Sequence, residues 1–324
     1  GGIGSSNNYL DIDSSFSAGG RVDVQSSMGV YLREVSGDMA IGLIQSPRDV
    51  HLMGVGGIRS AQGQNNIRAS MLWFDIPSGF GTAQRPIMTN VGQLEGRSRN
   101  GSIWLINTGD LTLGLVEAGG EIDLTVMGRL VNGSGSGLNV RAATFRFRAT
   151  SGVGSAQRPI NTMVSNLEGR VTNGDIWIFN NGTVTLGTME NSGDVNLRVS
   201  GSVLAQSGAG VNIRANRLWI YTTSGIGTSQ APLRTAVSYL EGSGGTASIW
   251  ITNTGDLTVG FVDANKDIYL TTTGRLLGGS GNAVNISANR FWFNADSGVG
   301  TQQSPLRTMV NYLAGTGRRG VINI

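Results

Sequence analysis

The stretch SGFGTAQRPIMTNVGQLEG at residues 78–96 returns as SGVGSAQRPINTMVSNLEG at 151–169, SGIGTSQAPLRTAVSYLEG at 224–242 and SGVGTQQSPLRTMVNYLAG at 297–315. Each copy starts 73 residues after the one before, with no insertion or deletion. A period held so strictly means units stacked in fixed register, because each repeat buries its apolar side only against its neighbours. The 324 residues therefore read as a single continuous body over 1–324, with units near 1–77, 78–150, 151–223, 224–296 and a partial 297–324.

Between the glycines lie short alternating runs such as IWLIN, EIDLTV and TFRFRA, and no ten-residue stretch carries a helical period. With 51 Gly and only 6 Pro, the chain reads as strands cut by turns, an all-β solenoid. Strand starts at Ile103, Ile122, Leu138, Ile160 and Ile176 are separated by 19, 16, 22 and 16 residues. That spacing predicts about four coils per 73-residue unit, each near one turn of a three-sided β-solenoid. The whole chain then makes roughly 18 coils with rungs about 4.8 Å apart.

Alternation assigns the faces. Aliphatic residues flank Tyr31, Trp104, Trp177 and Trp250, so the aliphatics point inward and the rings outward. A second strand places Trp73, Arg146, Trp219 and Trp292 in the same kind of slot. The three tryptophans Trp104, Trp177 and Trp250 are expected to line up along one side. Asn107, Asn181 and Asn253 with their following glycines read as corners that tolerate positive φ. Pro86, Pro159, Pro232 and Pro305 mark an excursion from the ladder, and Asn66, Asn139, Asn212 and Asn285 read as an outward polar row.

The chemistry-bearing residues recur with the repeat, whereas an active site is a singular feature. Glu95, Glu168 and Glu241 are one unit apart, too far to act as a carboxylate pair for glycoside hydrolysis. His51, the only histidine, takes a slot filled elsewhere by Asp123, Asn196 and Tyr269, and reads as a surface imidazole rather than a base or ligand. Asp263-Ala-Asn265-Lys-Asp267 has the opening spacing of a calcium loop, yet Ile268 stands where such a loop needs glycine. The cluster at Gly133–Gly137 reads as a turn. Zero cysteines exclude disulfides and thiolate metal sites. No catalytic residue, metal ligand or cofactor site is expected.

Charge is modest: 24 Lys plus Arg against 21 acids, all but one of the cations arginine. A net +3 spread over so long a chain gives no basic field for nucleic acid. Arg68, Arg141 and Arg214 recur in phase, either as a row able to contact an anionic polymer or as cross-coil ion-pair partners. No run approaches the ~18 apolar residues of a membrane helix, so no membrane insertion is expected.

The run SG(I/V)GT..PL.T.V..LEG....(G/A).IWI.NTGDLT.G resembles the repeats of filamentous-haemagglutinin-like secreted exoproteins of bacteria. The resemblance implies a right-handed parallel β-helix exported to the cell surface and used as an adhesive or structural shaft. No NPNL or NPNG secretion motif is present. Val321-Ile322-Asn323-Ile324 is in register with Ser248-Ile249-Trp250-Ile251, which points to a longer parent chain or to coils stacking end to end in a self-assembling filament. The expectation is an extracellular, non-catalytic β-solenoid. Its expected partners are a host or matrix polysaccharide, a cell surface, or itself; a polysaccharide-active enzyme is the remote alternative.

Overall fold

A computed structural model describes residues 1–61, 63, 65–208, 210–281 and 283–324. Among them there is no helix, and the paired strands run parallel. The chain packs as two compact units, Gly1–Val164 and Ser165–Ile324. Each is a parallel β-solenoid, and the chain makes about 14 turns in all rather than roughly 18.

In the first unit two inward ladders run half a turn apart. One carries Val30, Val50, Leu72, Leu94 and Leu113 on successive coils. The other carries Met39, Ile58, Phe80, Ile103, Ile122 and Phe145. The second unit repeats the arrangement with Ile176, Val195, Leu218 and Leu240 on one ladder and Val203, Ile226, Ile249, Ile268 and Phe291 on the other. All are at most 2% exposed. Burying each such side chain is worth about 1.5–3 kcal/mol, and the same contact recurs at every rung.

These registers change the coil count. From Val30, three turns reach Leu94, and Ile103, the 73-residue equivalent of Val30, begins nine residues later on the other ladder. From Ile176, three turns reach Leu240, and Ile249, nine residues later, again lies on the other ladder. The 73-residue unit therefore spans three and a half coils, not four. Leu138 is no rung: it lies in an excursion between the strands Leu130–Asn132 and Val140–Ala149.

The proline excursions are where the sequence placed them. Thr82 and Arg85 exchange backbone hydrogen bonds of 3.0 and 3.1 Å just before Pro86, and Ser155 and Arg158 do the same before Pro159. The asparagines are not. Asn66, Asn139, Asn212 and Asn285 are at most 3% exposed and point inward. Each serves a β-bulge, where one strand carries extra residues and leaves carbonyls without a ladder partner. The register slips between Leu186 and Met189, and there Asn212 Nδ2 donates to Leu186 O at 3.0 Å and Gly187 O at 3.3 Å. Its Oδ1 accepts the Arg234 N–H on the following coil at 3.1 Å. Asn66, Asn139 and Asn285 serve the bulges at Ile41, Leu113 and Val259 in the same way.

Candidate functional surface

The sequence-predicted aromatics do face outward, but half-covered, and the 73-residue set forms no row. The half-coil offset puts Tyr31 and Trp104 on different ladders of the first unit, and Trp177 and Trp250 on different ladders of the second. Rings are gathered instead at one-coil spacing. In the first unit Tyr31, His51 and Trp73 occupy consecutive rungs, with centroids 4.6 Å apart and planes 16° apart for the first pair, 5.6 Å and 32° for the second. In the second unit Trp250 stacks on Tyr269 at 3.5 Å and 6°, and Tyr269 is parallel to Trp292 at 6.4 Å. The signal for these columns was the 19- to 23-residue spacing within a unit. Trp104 lies beside Asp123 and then Arg146 on the rungs above it.

His51 is a ring in a stack rather than a free surface imidazole. Burial between Tyr31 and Trp73 pushes its pKa below the ordinary value, while Asp49 and Glu95 pull it part of the way back. The proton therefore binds the unfolded chain more tightly. Stability is unaffected by this group above the ordinary imidazole pKa and is lost as pH falls from there to the folded value. The group is only half-buried, so solvent screening keeps the loss small. Urea midpoints of the wild-type chain should fall between pH 7 and 5.5, and the part due to this residue should vanish in His51→Phe, which keeps the stack and cannot titrate.

The recurring acids are held by their neighbours. Glu241 accepts the Trp219 Nε1–H at 2.9 Å on its own Oε2, and Tyr239 donates its hydroxyl to Oε1. Burial first, then that bond to Glu241, pushes the Tyr239 phenol up to about 12. Above Glu95, Glu168 and Glu241 the next coil carries Gly114, Gly187 and Gly260, where any Cβ would run into the glutamate stem. The glycines are slots along which the glutamates lie.

The arginines do not form a row either. Arg141 and Arg97 both pair with Glu117 at 3.0 Å, a network across three coils. Arg68 shares a groove of about 830 Å³ with Gln25, Gln45 and Asn90, which occupy successive rungs with it. Arg214 is exposed and stands in register with Glu190. In the calcium-like segment, Asp263 accepts the Ser243 hydroxyl at 3.0 Å and Asp267 pairs with Arg290 at 3.3 Å. The Gly133–Gly137 cluster is an excursion tied down by Asn132 Nδ2 on Gly135 O at 2.8 Å. No group of three or more metal-ligating side chains is assembled among the described residues. No family model, no curated protein and no solved structure matches this chain.

Proposed function

We propose that the chain is a non-catalytic structural or adhesive shaft displayed outside a bacterial cell, akin to the repeat shafts of filamentous-haemagglutinin-like exoproteins. The observation that carries this reading is where the recurring polar side chains are used. Asn212 joins three coils, Glu117 joins Arg97 to Arg141, and Glu241 ties Trp219 to Tyr239. Groups that elsewhere do chemistry are here spent on coil-to-coil cohesion, as a load-carrying shaft requires. Within each unit the half-coil offset sets successive repeats on alternate ladders, so outward side chains of the repeat are offered on both ladders. The winding is right-handed, the hand that parallel strands joined by crossovers adopt almost without exception. Its partners in this reading are polysaccharide, a cell surface, or further copies of the chain.

Electron microscopy of the purified chain, paired with a reducing-end assay on a panel of polysaccharides, tests the reading. Slender rods and unshortened polymers are expected; indefinite fibres would favour the filament alternative. Cleavage that disappears when one acid is replaced would overturn it.

A further inference from the structure

We propose that the Trp250 face of the second unit binds one extended, uncharged polysaccharide chain of β-linked pyranose units lying along the coil axis. This deepens the adhesive reading and rests on it. Two outward columns run side by side there. Trp250, Tyr269 and Trp292 form one, and Thr252, Thr271 and Asn294, two residues further along the same strands, form the other. Ser229 and Pro232 of the excursion border them, and the groove enclosed is about 350 Å³ with no charged side chain in its lining.

The rings are not equivalent. Trp250 and Tyr269 use their faces on each other, so they offer edges. Trp292 is 38% exposed, and the residue on the rung above it is Ala314, which puts no ring over it. Tyr312 leans in at 44° with its centroid 5.3 Å away, so the two rings make an open cradle.

A pyranose has an apolar C–H face and a rim of hydroxyls. The first packs on an indole face, and the second needs hydroxyl and amide partners at the side. The Trp292–Tyr312 cradle supplies the first, and the column of Thr252, Thr271 and Asn294 supplies the second. Rungs about 4.8 Å apart approach the length of one sugar unit in an extended β-linked chain, so each coil meets about one unit. An anionic polymer finds no arginine in this groove. A peptide strand finds no free edge, because the backbone of these strands is already paired on both sides.

The full chain should be retained on microcrystalline cellulose or on chitin, and should bind cellohexaose or chitohexaose in calorimetry, the two polymers separating a plain from an acetamido sugar. Trp292→Ala should weaken binding about tenfold or more, equivalent to about 1.4 kcal/mol. Thr271→Val keeps shape and loses a hydroxyl, and should weaken it several-fold. Phe179→Ala, an exposed ring on the other ladder, should bind as wild type. No retention on either polymer, or Trp292→Ala and Thr271→Val both binding as wild type, overturns the proposal. Rods that retain no glycan sink this inference and leave the shaft standing, whereas glycan cleavage sinks the shaft reading whatever is retained.

Discussion

Replacing Asn212 by leucine is expected to cost the second unit about 3–5 kcal/mol. The substitution leaves the Leu186 and Gly187 carbonyls and the Arg234 N–H without their present partner. A buried polar group left unmade costs about 1–3 kcal/mol, and leucine also brings branched bulk to a site shaped for a flat amide. In a unit of this size the melting temperature should drop by roughly 10 °C. Asn289→Leu is the control, since that asparagine is exposed and its side chain makes only solvent-facing bonds, donating to Asp267 at 3.4 Å and accepting from Asn311 at 3.2 Å. Its effect should stay within about 0.5 kcal/mol. Equal losses for the two variants would mean that the bulge carbonyls do not depend on the amide.

The asparagine clamps show what kind of information the sequence holds. Alternation along Ile103–Thr108 correctly put Ile103 and Leu105 inside and Trp104 outside, because a straight strand obeys a period of two. At Asn212 the rule fails, since Asn212 and Ile213 are both fully buried. The chain bends there from an excursion into a strand, and two consecutive side chains face the core. Nothing in the local pattern announces the bend. Likewise the corner Asn107-Thr108-Gly109 was legible as a turn, but the positive φ of +88° falls on Gly109 alone. Asn107 is buried and accepts the Thr89 hydroxyl at 2.8 Å and the Val91 N–H at 2.9 Å.

The coil count was hidden for a longer-range reason. A 73-residue repeat is legible to the residue, yet how many turns it fills is decided by which strands pair. Whether Val30 returns to Ile103's ladder or to its neighbour is set by three successive registers and by the length of the excursions between them. That half-turn dissolves the expected row of Trp104, Trp177 and Trp250, and it moves the candidate surface to the one-coil columns. Within a column the composition is also set by coil-to-coil contact: Tyr31, His51 and Trp73 are flat and stack, whereas Glu95 follows on the next rung and lies toward Gly114.

Gly227→Ala is expected to cost about 3–5 kcal/mol, well above Gly255→Ala at about 1–2 kcal/mol, although both glycines have positive φ, +62° and +93°. Left-handed backbone alone accounts for the smaller figure, and a Cβ at Gly255 meets nothing within 4 Å. At Gly227 the same atom would sit 2.5 Å from Trp250 O and 2.7 Å from Leu233 N, both backbone. Neither can swing aside, because Trp250 donates its own N–H to Ile226 O at 2.7 Å and Leu233 is paired with Ile251 on the next coil. The excursion must therefore lift off the coil above it. Gly81 occupies the same position against Trp104 O at 2.6 Å and Ile87 N at 2.9 Å, so Gly81→Ala should lose a similar amount in the first unit. Chemical denaturation of the three variants measures the difference directly. Equal losses at Gly227 and Gly255 would show that chirality sets the cost and that the close approach of excursion to coil contributes nothing. A larger loss at Gly227, accompanied by weakened glycan retention, would tie the groove beside Pro232 and Trp250 to a residue whose missing side chain lets that excursion lie against the coil.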